Sequence, residues 1–313
     1  MSRKHEKYER LLAYCKALPP VPTAVAYPCD QTSLQGAIDA KKLGLIEPIL
    51  FGPEARIKAE AAKHAIDLSG VTIVDVPGPA DESAAAAVAL AREGKAEALM
   101  KGSLHTDELM SAVVKRDTGL RTRRRLSHCF IMDVPNHTET LIISDGAVNV
   151  APTLEDKVDI IQNAIDLAHA LNKDDVRVAI LSAMETVNLK IPSTTDAATL
   201  CKMADRGQIT GAILDGPLAL DNAISLEAAQ IKKIDSPVAG RANVLIAPDL
   251  ESGNMLAKSL TFLADADAAG IVLGARVPII LTSRADSVRA RSASCAVAML
   301  VAHARRQALQ ATV

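Results

Sequence analysis

Residues 23–51, TAVAYPCDQTSLQGAIDAKKLGLIEPILF, contain the pattern that decides the fold. Thr23–Tyr27 and Pro48–Phe51 are short apolar runs typical of buried strands. Between them, the segment from about Ser33 to Leu43 predicts a helix that ends at Gly44. A strand, a helix and a second strand in this order predict two parallel strands joined by a crossover helix.

The same alternation continues to residue 100. Helices are predicted from Glu54 to about Ile66 and over Asp81–Arg92, the second ending at Gly94. Val71–Val76 and Ala96–Met100 have the composition of strands. This alternation predicts a parallel sheet with helices on its faces.

The rest of the chain also alternates between strand-like and helix-like segments. Cys129–Val134 and Thr140–Ser144 suit antiparallel or crossing strands. Ile271–Leu281 predicts one buried strand, and Ala290–Ala304 predicts a helix capped by Asp286 or Ser287. The remaining predictions are helices at Asp156–Leu171, Ala197–Ala204 and Met255–Ala264, and strands at Val176–Leu181, Ala212–Leu214 and Val244–Ala247.

Length and composition predict two α/β domains that share a cleft and bind small molecules. The 313 residues exceed the size of most single cores, and they are 49% hydrophobic but only 2% aromatic, with no Trp. Nucleic-acid binding requires aromatic stacking platforms and excess positive charge, whereas the formal net charge here is −2. No nucleic-acid partner is therefore expected.

The cysteines and the charged start of the chain indicate a cytoplasmic protein. Met1–Arg10 is highly charged, unlike a signal peptide, and no apolar run reaches the roughly 20 residues needed to cross a bilayer. The five cysteines lack the paired spacing of a zinc site or a disulfide framework, and they are expected to be reduced and mostly buried: Cys15, Cys29, Cys129, Cys201 and Cys295. No membrane association is expected.

The segment from Thr282 to Ser287 predicts an anion site. Ser283 and Arg284 follow a strand-like run and precede a helix, where free backbone N–H groups, a positive helix dipole and a bidentate guanidinium coincide. The alternative is that Asp286 and Ser287 only cap the helix and Arg284 is a solvated charge.

A second cluster, Lys101-Gly102-Ser103-Leu104-His105-Thr106, directly follows a predicted strand. Gly102 allows close backbone approach, Ser103 and Thr106 supply hydroxyls, and His105 can bind a ligand or relay a proton. Local capping by His105 is the alternative.

Three further polar loops are placed with it at the carboxyl ends of strands, where parallel sheets bind ligands. Asp215-Gly216-Pro217-Leu218 with Asp221-Asn222-Ala223 carries two carboxylates, but no third ligand completes a metal site, so turn and cap roles are the alternative. The other two loops flank one short strand: Ser236-Pro237-Val238-Ala239-Gly240-Arg241-Ala242-Asn243 and Pro248-Asp249-Leu250-Glu251-Ser252-Gly253-Asn254. Four arginines within five residues either lie on a solvated face or create a positive electrostatic field that steers an anionic ligand: Arg121, Arg123, Arg124 and Arg125.

In this combination and order, these loops and the Ser283-Arg284 pair resemble the phosphate acetyltransferase and phosphate butyryltransferase family. The similarity extends from about Ala24 to the end, and it is greatest to the acyltransferase half of bifunctional enoyl-CoA hydratase and phosphate acetyltransferase proteins. The resemblance implies an isocitrate and isopropylmalate dehydrogenase-like fold. One domain would comprise residues 1–128 with 272–313. The other would comprise residues 129–271 and would provide most of the interface of a homodimer.

The resemblance also implies the reaction acetyl-CoA + phosphate = CoA + acetyl phosphate, without metal, cofactor or covalent acyl-enzyme. Ser283 and Arg284 would stabilise the transition state and bind phosphate, with Asp286 or His105 as the proton acceptor. The predicted substrate-binding residues are Lys101, Gly102, Ser103, Thr106, Asp215, Asn222, Gly240, Arg241, Asn243, Asp249, Gly253 and Asn254.

The chain departs from the acetyl-specific pattern at two positions. Ala290 stands where those relatives have an aspartate base, and Met110 stands where they have an arginine. A third family arginine lies in a helical insertion that this chain lacks. The alternatives are a phosphate butyryltransferase, which the sequence of residues 278–287 favours, a non-catalytic acyl-CoA or phosphate-binding protein, and a metal-dependent dehydrogenase of the same fold.

Overall fold

The computed structural model describes residues 6–282 and 286–310 as a mixed α/β fold with two compact units. The first unit comprises Glu6–Arg124 and the residues from Ala269 onward. The second unit comprises Arg125–Ala268. Each unit contains its own set of parallel strands with helices between them.

The first unit begins with the alternation that the sequence predicts. Its elements are α1 (Glu6–Cys15), β1 (Val21–Ala26), α2 (Gln31–Lys42), β2 (Ile46–Gly52), α3 (Glu54–Lys63), β3 (Thr72–Asp75), α4 (Ala80–Arg92), β4 (Ala98–Lys101) and α5 (Thr106–Val114). Strands β2, β1 and β4 are parallel, with Thr23 opposite both Pro48 and Ala98. The parallel sheet predicted for this half is confirmed, whereas helices α1 and α5 were not predicted.

The second unit follows. Its elements are β5 (Ser127–Asp133), β6 (Leu141–Ser144), α6 (Leu154–Ala170), β7 (Arg177–Leu181), α7 (Pro192–Asp205), β8 (Ile213–Leu218), α8 (Leu220–Ile224), α9 (Leu226–Ile231), β9 (Val244–Ile246) and α10 (Leu250–Leu263). The strand order is β5-β6-β9-β7-β8. The pair β5 and β6 is antiparallel, as predicted, and the other pairs are parallel.

The chain then completes the first unit with β10 (Asp267–Leu273), β11 (Ile279–Ile280) and α11 (Val288–Gln310). The prediction of a single strand over Ile271–Leu281 is wrong, because β10 and β11 are two antiparallel strands. Gly274 has a φ of 88°, which favours glycine, and Pro278 has no N–H to donate. The strand order in this unit is β3-β2-β1-β4-β11-β10.

The cores contain aliphatic side chains and alanine, as the low aromatic content predicts. Leu34, Leu50 and Leu99 are fully buried in the first unit, and Ile143 and Leu245 are fully buried in the second. All five cysteines are free thiols, four of them buried. Among the described residues, no helix is long and apolar enough to cross a membrane.

His128 is an ionisable group in the core of the second unit. Its ring contacts the edge of the Phe130 ring at a centroid distance of 4.3 Å. Its Nδ1 atom is buried and finds no hydrogen-bond partner in the part of the chain that the structure describes. Burial lowers the pKa of His128 to about 4, against a smaller opposing effect of the Asp145 carboxylate. The folded protein therefore holds a neutral imidazole here.

Folding stability is expected to decrease as pH falls from about 6.5 to 4, because the unfolded chain binds a proton that folded His128 does not. Neutral His128 makes its full contribution to the free energy of unfolding above the ordinary histidine pKa. About 3 kcal/mol of this free energy is lost by pH 4. Urea unfolding at several pH values should show a shallower decline for His128→Phe than for wild type. Partly exposed His137→Asn is the control, and equal slopes for wild type and His128→Phe would contradict the prediction.

Candidate active site

The Lys101–Thr106 cluster and the predicted anion segment leave the sheet of the first unit at one edge. Strands β4 and β11 are parallel neighbours, so their carboxyl ends coincide. Lys101 ends β4, and Thr282 closely follows β11. Ser283 and Arg284 come next in sequence and lie outside the described residues. The structure thus brings Thr282, at the start of the predicted anion segment, to the same sheet edge as the Lys101–Thr106 cluster.

Gly102 and Ser103 join the end of β4 to the end of β1. The Gly102 N–H donates to the Ala26 carbonyl at 2.9 Å, and a Cβ on Gly102 would lie 2.3 Å from that oxygen. The Ser103 hydroxyl donates to the Tyr27 carbonyl at 2.8 Å and accepts from the Cys29 N–H at 3.1 Å. The close backbone approach predicted for Gly102 is therefore made to β1 itself.

The other members of the cluster differ in exposure. Lys101 is 7% exposed, and its Nζ atom donates to the Gly102 carbonyl at 3.3 Å. His105 is exposed at the start of α5, and its backbone N–H donates to the Glu108 carboxylate at 2.6 Å. Thr106 is the exposed first residue of α5. His105 is thus the N-cap of α5, which confirms the capping role given as the alternative, and its role as a proton acceptor stays a prediction.

Helix α11 is capped by Ser287. The Ser287 hydroxyl accepts from the Ala290 N–H at 3.1 Å, and its carbonyl accepts from the Arg291 N–H at 3.1 Å. Of the two predicted caps, Ser287 is confirmed and Asp286 is wrong, because Asp286 precedes the capping residue. The Asp286 carbonyl accepts a hydrogen bond from the Arg291 guanidinium. The sequence analysis did not identify Arg291, since an arginine inside an Ala-rich helix resembles an ordinary surface charge.

In the second unit, a tight turn follows the carboxyl end of β6, which is a parallel neighbour of β9. The sequence analysis did not predict this turn. Asp145 is 2% exposed, and its carboxylate accepts from the N–H groups of Ala147 at 2.9 Å and Val148 at 3.1 Å. The Asn149 side-chain amide donates to the same carboxylate. An Asp-Gly pair directly after an apolar strand is the signal that indicates such a turn.

Helix α10 begins beside this turn. The Asp249 carboxylate caps it by accepting from the Ser252 N–H at 2.8 Å. A Cβ on Gly253 would lie 2.3 Å from the Asp145 carbonyl. The Asn254 side chain donates to the Gly146 carbonyl at 2.9 Å. Three predicted site residues, Asp249, Gly253 and Asn254, therefore gather at one carboxyl edge.

The residues around β8 have protein partners on other segments of the second unit. β8 extends through Leu218, so Asp215 lies within the strand and not after it as predicted. Asn222 is fully buried, and its side-chain nitrogen donates to Glu185 at 3.3 Å. Lys232 pairs with Asp221 at 3.0 Å, and its hydrogen bond holds the pKa of Asp221 below the usual value. Within residues 6–282 and 286–310, no group of three acids, histidines or cysteines could hold a metal ion.

The loop at residues 236–243 contacts the Asp221-Asn222-Ala223 segment, since the Gly240 N–H donates to the Asn222 carbonyl at 2.7 Å and the Ala242 N–H donates to the Ala223 carbonyl at 3.1 Å. Its last residue, Asn243, lies at the amino end of β9, whereas the sequence analysis placed the loop at the carboxyl ends of strands. The Asn243 side chain accepts from the Arg177 N–H at 3.0 Å and donates to the Asp175 carbonyl at 2.7 Å. Gly240 has a φ of 75°, and Arg241 is exposed. This geometry gives Asn243 a structural role at the start of β7.

Asn243→Ala is expected to lower the free energy of unfolding by about 2 kcal/mol, because two backbone groups of the neighbouring segment lose their partner. The KM values for substrates should change less than about twofold. Urea unfolding and steady-state kinetics measure both effects, with exposed Arg241→Ala as the stability control. Wild-type stability combined with a raised KM would instead support substrate binding by Asn243.

Arg125 belongs to the group of four arginines at residues 121–125, and its side chain has two polar partners. The Arg125 Nε atom donates to Asn149 at 2.8 Å, and its guanidinium pairs with Asp156 at 3.2 Å. Arg121 is exposed, and its backbone pairs with that of Ala275 in the first unit. Arg125 therefore stabilises the Asp145 turn through Asn149.

Comparison with known proteins places this α/β chain among acyl-group transferases. The family described as "Phosphate acetyl/butaryl transferase" matches residues 79–299. The phosphate acetyltransferase of Rhizobium meliloti is 64% identical over 307 residues, covering 98% of this chain and 97% of the relative. The phosphate butyryltransferase of Clostridium acetobutylicum is 41% identical over 279 residues, covering 89% and 92%.

A solved structure agrees with these matches. The branched-chain phosphotransacylase from Enterococcus faecalis V583 superimposes with a TM-score of 0.79 at 30% identity, covering 90% of this chain and 99% of that one. The chain belongs to the phosphate acetyl/butaryl transferase family.

Proposed function

We propose that this protein is an acyltransferase that moves a short acyl group, acetyl foremost, between coenzyme A and inorganic phosphate. The observation that carries the proposal is the 64% identity to a phosphate acetyltransferase over 98% of the chain. The shared carboxyl edge of β4 and β11 supports it, because this edge is where the fold presents ligand-binding loops.

The proposed reaction is a direct displacement. A phosphate oxygen attacks the carbonyl carbon of the thioester, the carbon–sulfur bond breaks, and its electron pair leaves with the coenzyme A sulfur. Arg284 binds the phosphate, and Ser283 donates to the carbonyl oxygen or the departing sulfur. In the reverse direction, the thiol proton goes to Asp286 or His105.

Positioning of the reactants is expected to contribute more to the rate enhancement than proton transfer. The presence of Ala290 where acetyl-specific relatives have an aspartate is therefore compatible with activity. A free thiol of pKa about 8.5 is a few per cent ionised at pH 7, so complete deprotonation is worth roughly 2 kcal/mol. A positioned base contributes about 10²- to 10⁴-fold, whereas holding both reactants in line contributes roughly 7 to 11 kcal/mol. Phosphate is already an anion and requires orientation more than activation.

The proposal includes the arrangement that the family resemblance implies. The domains are residues 1–128 with 272–313 and residues 129–271, with the substrates between them in an isocitrate dehydrogenase-like fold. The protein acts as a cytoplasmic homodimer, with coenzyme A and phosphate as substrates and without a metal or cofactor.

Butyryl transfer is the second candidate, and the 41% identity to a phosphate butyryltransferase favours it. One methylene changes discrimination by only about 1 to 3 kcal/mol, so chain length depends on details of the acyl pocket. The test is the phosphate-dependent release of coenzyme A from acetyl-, propionyl- and butyryl-CoA. The highest kcat/KM for acetyl-CoA supports the proposal, and the highest value for butyryl-CoA supports the second candidate. Reduction of NAD with a divalent metal and no phosphate-dependent release would identify a dehydrogenase.

A further inference from the structure

Tyr27, directly after β1, has a strained backbone conformation. Its φ is 55°, a left-handed value that is rare for an aromatic residue, and the next residue is Pro28. The Tyr27 N–H donates to the Phe51 carbonyl at 2.7 Å. The Tyr27 carbonyl accepts from the N–H groups of Ser103 and Cys29, both at 2.9 Å. Strained residues that their surroundings hold in place cluster at functional sites, so Tyr27 is a candidate for a ligand contact.

Arg56 lies against the side chain of Tyr27 without an acidic partner. One terminal nitrogen donates to the Tyr27 hydroxyl at 2.8 Å, and the guanidinium carbon lies 5.4 Å from the ring centroid. Arg56 is exposed, and it forms no ion pair within residues 6–282 and 286–310. Two acids of the same helix pair elsewhere, Glu54 with Lys58 at 2.6 Å and Glu60 with His64 at 3.1 Å. A guanidinium held by a neutral hydroxyl keeps further donors for an anion.

Tyr27 and Arg56 lie on the same sheet edge as the Lys101–Thr106 cluster. The strand order β2-β1-β4-β11 is parallel throughout, so the carboxyl ends of these four strands form one row. Tyr27 follows β1, and Arg56 lies in the first turn of α3, directly after β2. Since neighbouring strands are about 4.8 Å apart, the end of β1 is roughly 10 Å along this edge from the end of β11.

The two ends of coenzyme A differ in chemistry and are separated by the pantetheine arm. One end carries the thiol or thioester, and the other is a 3′-phosphorylated ADP. An acyl-CoA whose thioester reacts at β4 and β11 must therefore bind its nucleotide away from these strands. A purine stacks on aromatic side chains, and phosphate groups bind arginine. Of the three Tyr and three Phe, only Tyr27 directly follows a strand of this edge, and its side chain is partly exposed.

We infer that Tyr27 and Arg56 form the subsite for the nucleotide end of coenzyme A, an inference that rests on the proposed function for the identity of the ligand. The Tyr27 ring stacks on the purine, and the Arg56 guanidinium binds a phosphate group of the 3′-phospho-ADP. The Tyr27 hydroxyl orients the guanidinium. Neither residue contacts the reacting thioester, so the subsite determines the affinity for coenzyme A.

Arg56→Met is expected to weaken the binding of coenzyme A about 10-fold in calorimetric titration, because a charge-assisted contact with phosphate is lost. The KM for acetyl-CoA should rise by a similar factor, with kcat within about threefold of wild type. The kcat/KM for S-acetylpantetheine, which has the same thioester and no nucleotide, should not change. An equal loss with S-acetylpantetheine would overturn the assignment.

The matched control is Lys58→Met, which removes a positive charge two positions further along α3. Lys58 is exposed and pairs with Glu54. Its replacement should leave the affinity for coenzyme A within about twofold of wild type. Equal losses in Lys58→Met and Arg56→Met would show that net charge, and not a contact of Arg56, determines the affinity, and would overturn the inference.

Tyr27→Leu tests the stacking contact and is expected to weaken the binding of coenzyme A about 10-fold, because a base loses its aromatic partner. Tyr27→Phe keeps the ring but loses the hydroxyl that orients Arg56, so a loss of about two- to threefold is expected. Wild-type affinity in Tyr27→Leu would overturn the stacking role. If Tyr27→Leu does not fold, Arg56→Met decides, since its side chain is exposed.

The proposed function and the subsite fail differently. Wild type that binds coenzyme A but forms no acyl phosphate would overturn the proposed function alone. Wild type that forms acyl phosphate, together with Arg56→Met of unchanged affinity for coenzyme A, would overturn the subsite alone. Wild type that binds no coenzyme A would overturn both.

Discussion

Arg284→Ala is expected to lower kcat/KM for phosphate about 10³-fold, through both a raised KM and a lowered kcat. The guanidinium would bind phosphate in the ground state and stabilise the charge that shifts during attack on the thioester. Each charged or dipolar donor aimed at such a centre contributes about 10²- to 10³-fold, and a bidentate arginine is at the upper end. Initial rates at varied phosphate and saturating acyl-CoA measure the effect.

The matched control is Arg276→Ala. Arg276 is an exposed arginine in the connection between β10 and β11, at the amino end of β11 and therefore at the opposite edge of the sheet. Its replacement should leave phosphate dependence within about twofold of wild type. Unchanged phosphate dependence in Arg284→Ala would remove this residue from the phosphate site.

Gly102→Ala is expected to destabilise the protein by about 4 kcal/mol, at the upper end of overpacking effects. The new Cβ would lie 2.3 Å from the Ala26 carbonyl and 2.5 Å from the Tyr27 carbonyl. These are backbone atoms of the β1 end, held by hydrogen bonds to β2 and β4. They cannot move without separating the strands, so the carboxyl edge and its activity should be lost together.

Gly52→Ala is the control for this prediction. Gly52 ends the neighbouring parallel strand β2, but the two atoms nearest to its Cβ would be side-chain atoms, Ile57 Cδ1 at 3.3 Å and Cys29 Sγ at 3.4 Å, and the Tyr27 Cα atom would lie at an ordinary contact distance of 3.7 Å. Small rotations relieve these contacts, so a loss of about 1 kcal/mol or less is expected. Urea unfolding of both variants measures the difference, and equal losses would contradict the role of the β1 carbonyls.

The alternation of strands and helices could be predicted because its signals are local. Apolar runs and terminal glycines identify elements such as β1 and α2 from neighbouring residues alone. The prediction failed over Ile271–Leu281, where a turn at Gly274 separates two strands inside one apolar run. It also failed at Asp215, because β8 continues through polar residues that hydropathy assigns to a loop.

The candidate site could be predicted only where the order of residues along the chain shows at which edge of the sheet a residue lies. The rule for carboxyl ends agrees with the structure for Lys101, the last residue of β4, and for Thr282, which closely follows β11, because the two strands are parallel neighbours. It misplaced Asn243, which precedes its strand. Arg291 could not be predicted, since its burial depends on a glycine 255 positions earlier in the chain that only the folded structure brings into contact.

The formation of acyl phosphate by the wild-type protein tests the central claim most directly. Acetyl-CoA and inorganic phosphate would be incubated with the enzyme in EDTA, with released thiol and hydroxylamine-trapped acyl phosphate measured together. Equal amounts of the two products, and neither product without phosphate, are the predicted result. Release of coenzyme A that does not require phosphate, or that yields no acyl phosphate, would contradict the account.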